Sequence, residues 1–260
     1  MTETTNNCNY RSEISYTSTQ TQIIDNLKNI ILLEIQNMKL NNEIEIYNNH
    51  EAISNMIIGN FFDKKIINIM VLALTQSGKT GGMLSLIKNY LSHAAITIPT
   101  ENIYIITGLS SQDWCEQTKG RIPASMRTRV FHRDELTSKF VDDIYEKENV
   151  LIIIDEVQIA AKENQTLHKA FESCKFCELD YVLKKDIKII EFTATPDGTY
   201  YDYMRWKGHS ACVKMNPGVG YTSCFDLQNT DRIKQFQDLC GLNKKTGKIN
   251  ESAFQNIQII

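Results

Sequence analysis

The residues with the plainest chemistry are Thr75-Gln76-Ser77-Gly78-Lys79-Thr80, followed by Gly81-Gly82. They lie between a nearly continuous apolar run, Ile66 to Leu74, and an amphipathic stretch from Lys79 to Ser92. That order predicts a buried strand, a tight turn and a helix. Backbone N–H groups of such a turn converge with the positive end of the helix, a ready site for phosphate oxygens. Lys79 would reach phosphates as a point charge, and the Thr80 hydroxyl would sit on Mg²⁺.

Two further strand ends carry chemistry. Val150 to Ile154 is apolar and stops at Asp155-Glu156-Val157-Gln158. A buried strand ending in two acids demands a reason, because desolvated carboxylates are costly unless they meet a cation or leave the core. At the carboxyl edge of a parallel sheet they face the ligand crevice. Asp155 is then the candidate metal ligand, and Glu156 the group that orients and deprotonates water. Ile187 to Phe192 is the next apolar run, and it leads into Thr193-Ala194-Thr195-Pro196.

These pieces resemble the motifs of superfamily 2 helicases of the DEAD/DEAH-like type. Ala73-Leu74-Thr75-Gln76-Ser77-Gly78-Lys79-Thr80 is similar to their phosphate loop, with Ala73 where a Gly is usual. Asp155-Glu156-Val157-Gln158 is similar to their second motif, and Thr193-Ala194-Thr195 to their third. The resemblance spans about residues 49 to 196 and implies an N-terminal RecA-like lobe that binds ATP and Mg²⁺. It implies catalysis by Lys79, Asp155, Glu156 and Gln158, with nucleotide held by 75–80 and metal by Thr80 and Asp155. Thr193 and Thr195 would couple the nucleotide site to DNA or RNA. The family's adenine-contacting Gln has no clear counterpart; Asn49 lies roughly where it would be.

The strand Ile103 to Thr107 ends in Gly108-Leu109-Ser110-Ser111, in the place of the family's motif that touches the nucleic-acid backbone. Gly108, Ser110 and Ser111 offer free N–H groups there. Lys119, Arg121, Arg127, Arg129, His132 and Arg133 form the most basic stretch. Arg121 and Arg133 are the chosen phosphate contacts, against the plainer reading of a solvated loop. Trp114 is read as packing a helix on the sheet.

The elements that position these groups alternate strand and helix. With strands apolar throughout, that predicts an α/β fold: a P-loop RecA-like three-layer arrangement with a mostly parallel central sheet and helices on both faces. Residues 1–20 are polar and read as an arm. Residues 21–62 read as helices, with Ile23, Leu27, Ile30, Ile31, Leu33, Ile35 and Met38 at helical spacing. The lobe is placed at 63–230, with 231–260 as a helical extension or the start of a second lobe. Too few residues follow position 200 for a whole second lobe. The resemblance therefore implies one supplied by a longer chain or a partner.

At 260 residues and 42% hydrophobic the chain can bury a sizeable core. A net charge of -3 argues against a strongly basic coating protein. No apolar run reaches membrane-spanning length, and no secretory signal is seen. Seven cysteines, an odd number, fit reduced thiols and an intracellular setting. Cys174-Xaa-Xaa-Cys177 and His209-Xaa-Xaa-Cys212 could be counted as zinc ligands, but separate thiols are the favoured reading. The Asn-, Ile- and Lys-rich composition fits an AT-rich genome such as a large DNA virus, hence cytoplasm, nucleus, viral factory or virion. Two other readings stay open: a single-lobe nucleotide-dependent binding module acting with a partner, and a small-molecule kinase.

Overall fold

The computed structural model describes residues 15–63, 66–107, 112–155, 165–195, 206, 208–230 and 232. The chain divides into two compact units, Met1–Gly218 and Val219–Ile260. In the first unit six strands join among the described residues. They are β1 (Asn68–Ala73), β2 (Ile103–Thr107), β3 (Val130–His132), β4 (Val150–Asp155), β5 (Ile187–Thr193) and β6 (Ser210–Met215). Their order is β3-β2-β4-β5-β1-β6, and every neighbouring pair is parallel. This is the α/β, three-layer arrangement of a RecA-like P-loop fold. Parallel strands need crossovers, and helices supply them.

Alternating side chains divide the core between the two sheet faces. One face buries Ile69, Val71, Ile103, Ile105, Leu151, Ile153, Ile190 and Phe192. Helices α1 (Ser18–Leu40), α2 (Asn48–Asp63), α3 (Lys79–Ser92) and α4 (Gln112–Arg121) belong to that side. The other face buries Tyr104, Ile106, Ile152, Ile154 and Ile189 under α5 (Val141–Ile144), α6 (Thr166–Ser173) and α7 (Leu179–Lys184). Strands covered on both faces are mainly apolar, which is why β1, β2 and β4 are nearly continuous runs, while β5 is interrupted by the buried Lys188 and Glu191.

The edges obey a different rule. β6 buries Val213 and Met215 while Cys212 and Lys214 are exposed. Among the described residues it pairs only with β1, and it alternates, so it lacks the continuous apolar signal. β3 has three residues, too few for any period. Both were missed where only irregular chain was expected. In α1 the buried positions are Ile24, Ile31, Ile35 and Met38. Ile23, Leu27, Ile30 and Leu33 are exposed, which corrects the broad apolar face expected of this helix. A helix resting on the lobe's surface buries a narrow stripe only. Its start is fixed by a capping box between Thr17 and Gln20. In the second unit, α8 (Cys224–Asn229) opens with a Ser223–Asp226 capping box. The helix expected from Asp231 to Leu239 lies outside the described residues. No described helix is long and apolar enough to cross a membrane.

A polar cluster closes the helical layer over β2. Tyr104 donates its hydroxyl to Asp143 at 2.6 Å and accepts from Lys147 at 2.7 Å. Arg129 also binds Asp143. Burial pushes the Asp143 carboxyl up, but hydrogen bonds from Tyr104 and Arg129 and two nearby cations outweigh it, holding its pKa below the usual value. A depressed carboxylate pKa contributes stability above the unfolded value that is lost as pH falls through the folded value. Asp143→Asn should therefore flatten the loss of thermal stability on acidification below about pH 4. Melting curves of parent and variant across that range check it.

Candidate functional site

β1 ends at Ala73, and the chain must turn at once into α3. The turn closes with the Ser77 amide donating to the Leu74 carbonyl at 3.1 Å. Two residues adopt left-handed backbone, Gln76 at φ 59 and Gly78 at φ 87. Gly78 is the N-cap of α3 and has no side chain with which to cap it. Gly82 is the first residue whose N–H reaches back into the helix, at 3.1 Å from the Gly78 carbonyl. The N–H groups of Lys79, Thr80 and Gly81 precede that first turn and have no intrahelical acceptor. They add to the positive end of the helix dipole. Lys79 and Thr80 are half-buried at this end. The Ser77 side chain is buried, and its hydroxyl makes no hydrogen bond within the protein. A bare helix start with a buried, unpartnered hydroxyl beside it suits a phosphate group.

Strand register places the carboxylate. Asp155 pairs with Phe192, and Phe192 pairs with Val71. Asp155 is therefore level with Val71 two strand spacings away, about 9–10 Å. All strands are parallel, so the turn after β1 and the end of β4 share one rim. The chain leaves β1 through α3 on one face and β4 toward α6 and α7 on the other. Crevices form at the carboxyl ends of strands whose connections diverge in this way. Asp155 is 4% exposed. Thr107 and His132 continue the same row outward on β2 and β3, both buried.

Thr193 ends β5, next to Leu72. Its hydroxyl donates to the Thr195 carbonyl at 3.0 Å, and the Thr195 amide donates back to the hydroxyl at 3.1 Å. This closes a local turn at the rim. Thr195 is exposed. Glu156, Gln158, Gly108, Ser110 and Ser111 lie outside the described residues, so their expected roles have no geometry here.

The basic stretch does not act as one surface. Arg129 is held by Asp143, and Lys119 pairs with Glu116 at 2.9 Å. His132 is buried. Arg133 lies half-buried, 4.0 Å from Asp134. Arg121 and Arg127 are exposed. Trp114 is 39% exposed in the first turn of α4, so it does not pack inward as expected. Beside it a cleft of about 220 Å³ is lined by Gln112, Cys115, Glu116, Lys119, His132, Asp134 and Glu135. Among the described residues no group of three or more metal-binding side chains occurs. Cys174, Cys177 and Cys212 are not joined in disulfides.

The residue that sequence reasoning missed is His50. It is 2% exposed and lies against the phosphate loop. Its Nδ1 accepts from the Tyr47 amide at 3.2 Å. A Cβ on Gly78 would come within 2.7 Å of its Nε2, and one on Gly81 within 2.4 Å of its Cε1. A lone His beside Asn48 and Asn49 carries no pattern that marks it. Asn49 itself donates to the Asn216 carbonyl at 3.0 Å. Below His50, α2 and α3 are laced together. Glu51 accepts from Lys88 and Asn89, both at 2.7 Å, and Ser54 donates to the Ser85 carbonyl at 3.2 Å.

No known family and no curated protein matches the sequence. Among solved structures the chain is similar to C. elegans PCH-2, at 16% identity and a TM-score of 0.28 over 94% of this chain. It spans 59% of that chain's length. A likeness of this size assigns neither a family nor an activity.

The loop geometry makes its own prediction. Gly78→Ala introduces a side chain at positive φ and presses it on His50, so it should lower stability by about 1–2 kcal/mol. Gln76→Gly removes a left-handed side chain and should be neutral or stabilising by up to about 1 kcal/mol. Urea titrations of both variants check the pair.

Proposed function

We propose that this chain is the ATP-binding lobe of a superfamily 2, helicase-like ATPase whose turnover depends on DNA or RNA. The observation that carries the reading is the shared rim: the uncapped start of α3 and the buried Asp155 face one crevice at the carboxyl edge of the sheet. The donor set fits a metal-bound triphosphate. It combines the N–H groups of an uncapped helix start, an orphan Ser77 hydroxyl, an ammonium, a threonine hydroxyl and a carboxylate.

The backbone of 75–80 cradles the phosphates, and Lys79 neutralises their outer oxygens. Thr80 and Asp155 hold Mg²⁺, which supplies charge neutralisation for the phosphoryl oxygens. Glu156 orients the attacking water and accepts its proton. Thr193, closed on Thr195, stiffens the strand end between the two halves of the site. With Gln158 it transmits the state of the crevice toward nucleic acid. Gly108, Ser110, Ser111, Arg121 and Arg133 supply backbone contacts that carry no base code. A second RecA-like lobe, from a longer chain or a partner, would supply the arginine that typically raises turnover by about 10³–10⁵.

Lys79→Ala removes charge-assisted contacts and should weaken ATP binding by about 10–100-fold. Glu156→Gln should leave binding within about threefold and cut hydrolysis by about 10²–10⁴-fold. Calorimetric ATP titration and phosphate release, each with and without single-stranded DNA or RNA, measure both. Two variants that hydrolyse ATP like the parent would refute these roles. Tight ATP binding with no nucleic-acid-stimulated release, even with an added partner lobe, would favour the single-lobe binding module.

A further inference from the structure

We propose that His50 is a positioning residue of the turn at 75–80, anchored by the Tyr47 amide and seated directly against Gly78 and Gly81. The inference rests on the nucleotide reading for its consequence, but its geometry stands alone.

The ring's hydrogen bond defines its form. Nδ1 accepts from the Tyr47 amide, so it carries no proton. The proton of the neutral ring is then on Nε2. Nε2 faces the turn, 2.7 Å from where a Cβ on Gly78 would stand. Burial, the largest influence, holds the imidazole below its ordinary pKa, against the opposing pull of the Ser77 backbone and Glu51. One ring thus lies against the turn at Gly78 and again three residues further, nearly one helical turn, at Gly81.

This contact also explains Gly81. A glycine inside a helix is about 1 kcal/mol worse than alanine. A Cβ there would lie 2.4 and 2.5 Å from the imidazole and 2.9 Å from the Glu45 carbonyl. The space is already filled by His50. A histidine that merely packed in the core would not need a hydrogen bond to its Nδ1 and close approach to two glycines of the turn. Glu51 and Ser54, gripping α3 further along, keep α2 from sliding away. The left-handed turn at 76–78 is thus held in shape by α2 before any phosphate arrives.

The test compares His50→Leu, which removes the Tyr47 bond, with His50→Gln, which keeps a polar side chain able to accept from the Tyr47 amide. Amide hydrogen exchange of 74–82 without nucleotide reads the tether. ATP affinity and kcat at saturating ATP read its consequence. In His50→Leu we expect exchange faster and ATP affinity weaker, each by about tenfold, with kcat within about threefold. His50→Gln should restore exchange and affinity to within about threefold of the parent. If His50→Leu fails to fold, Gly81→Ala, which displaces the imidazole from the α3 side, must show the same rise in exchange. Loop exchange in His50→Leu equal to the parent's overturns the proposal, and so does a His50→Gln variant as impaired as His50→Leu. Faster loop exchange in His50→Leu, with a parent that binds no ATP, would uphold the tether and sink the nucleotide reading instead.

Discussion

A parallel strand buried on both faces must leave the sheet at its carboxyl end, and here β1 does so through a turn with no room for slack. Between Ala73 and Lys79 the chain reverses, passes twice through left-handed backbone and starts a helix without a side-chain cap. The N–H groups at that start, which precede the helix's first internal hydrogen bond, are the constraint on which the rest of the site depends. They lie at the carboxyl edge of the sheet with a buried hydroxyl and a buried carboxylate, an arrangement suited to an anion and its counter-cation. The remaining elements serve to keep that turn where it is. β5 sets Asp155 level with β1 across two spacings, and α2 holds the loop from its other side.

What could be read from the chain follows from where water is excluded. β1, β2, β4 and β5 are covered on both faces, and their mainly apolar runs announced them, even where Lys188 and Glu191 interrupt β5. β6 is covered on one face and carries Lys214 and Cys212 on the other, so its pattern is the weak alternation of an edge. β3 is too short to have a pattern at all. The face of α1 was drawn too wide because Leu27 and Leu33 look no different from Ile31 until the partner surface is known. Hydrophobic spacing tells which residues could be buried, not how much surface there is to bury them.

The site divides in the same way. The placement of Gly78, Lys79, Thr80 and Asp155 at strand ends on one rim was legible because such residue types after apolar runs are chemically unusual. Arg129 looked like a free cation and is instead bound to Asp143, fourteen residues on in the next helical layer. Charge along a sequence says nothing of the partner that neutralises it. His50 lies 28 positions before Gly78, and only the packing of α2 on α3 brings it under the loop. Long-range contact is information that no local pattern holds.

The central claim is that the start of α3 and the end of β4 grip one metal-bound triphosphate. A crystal structure of the chain with Mg²⁺ and a non-hydrolysable ATP analogue tests this most directly. The account predicts phosphate density against the amides of Gly78 to Thr80, with the metal between the Thr80 hydroxyl and the Asp155 carboxylate. Nucleotide bound elsewhere, or a metal that leaves Asp155 untouched, would contradict it.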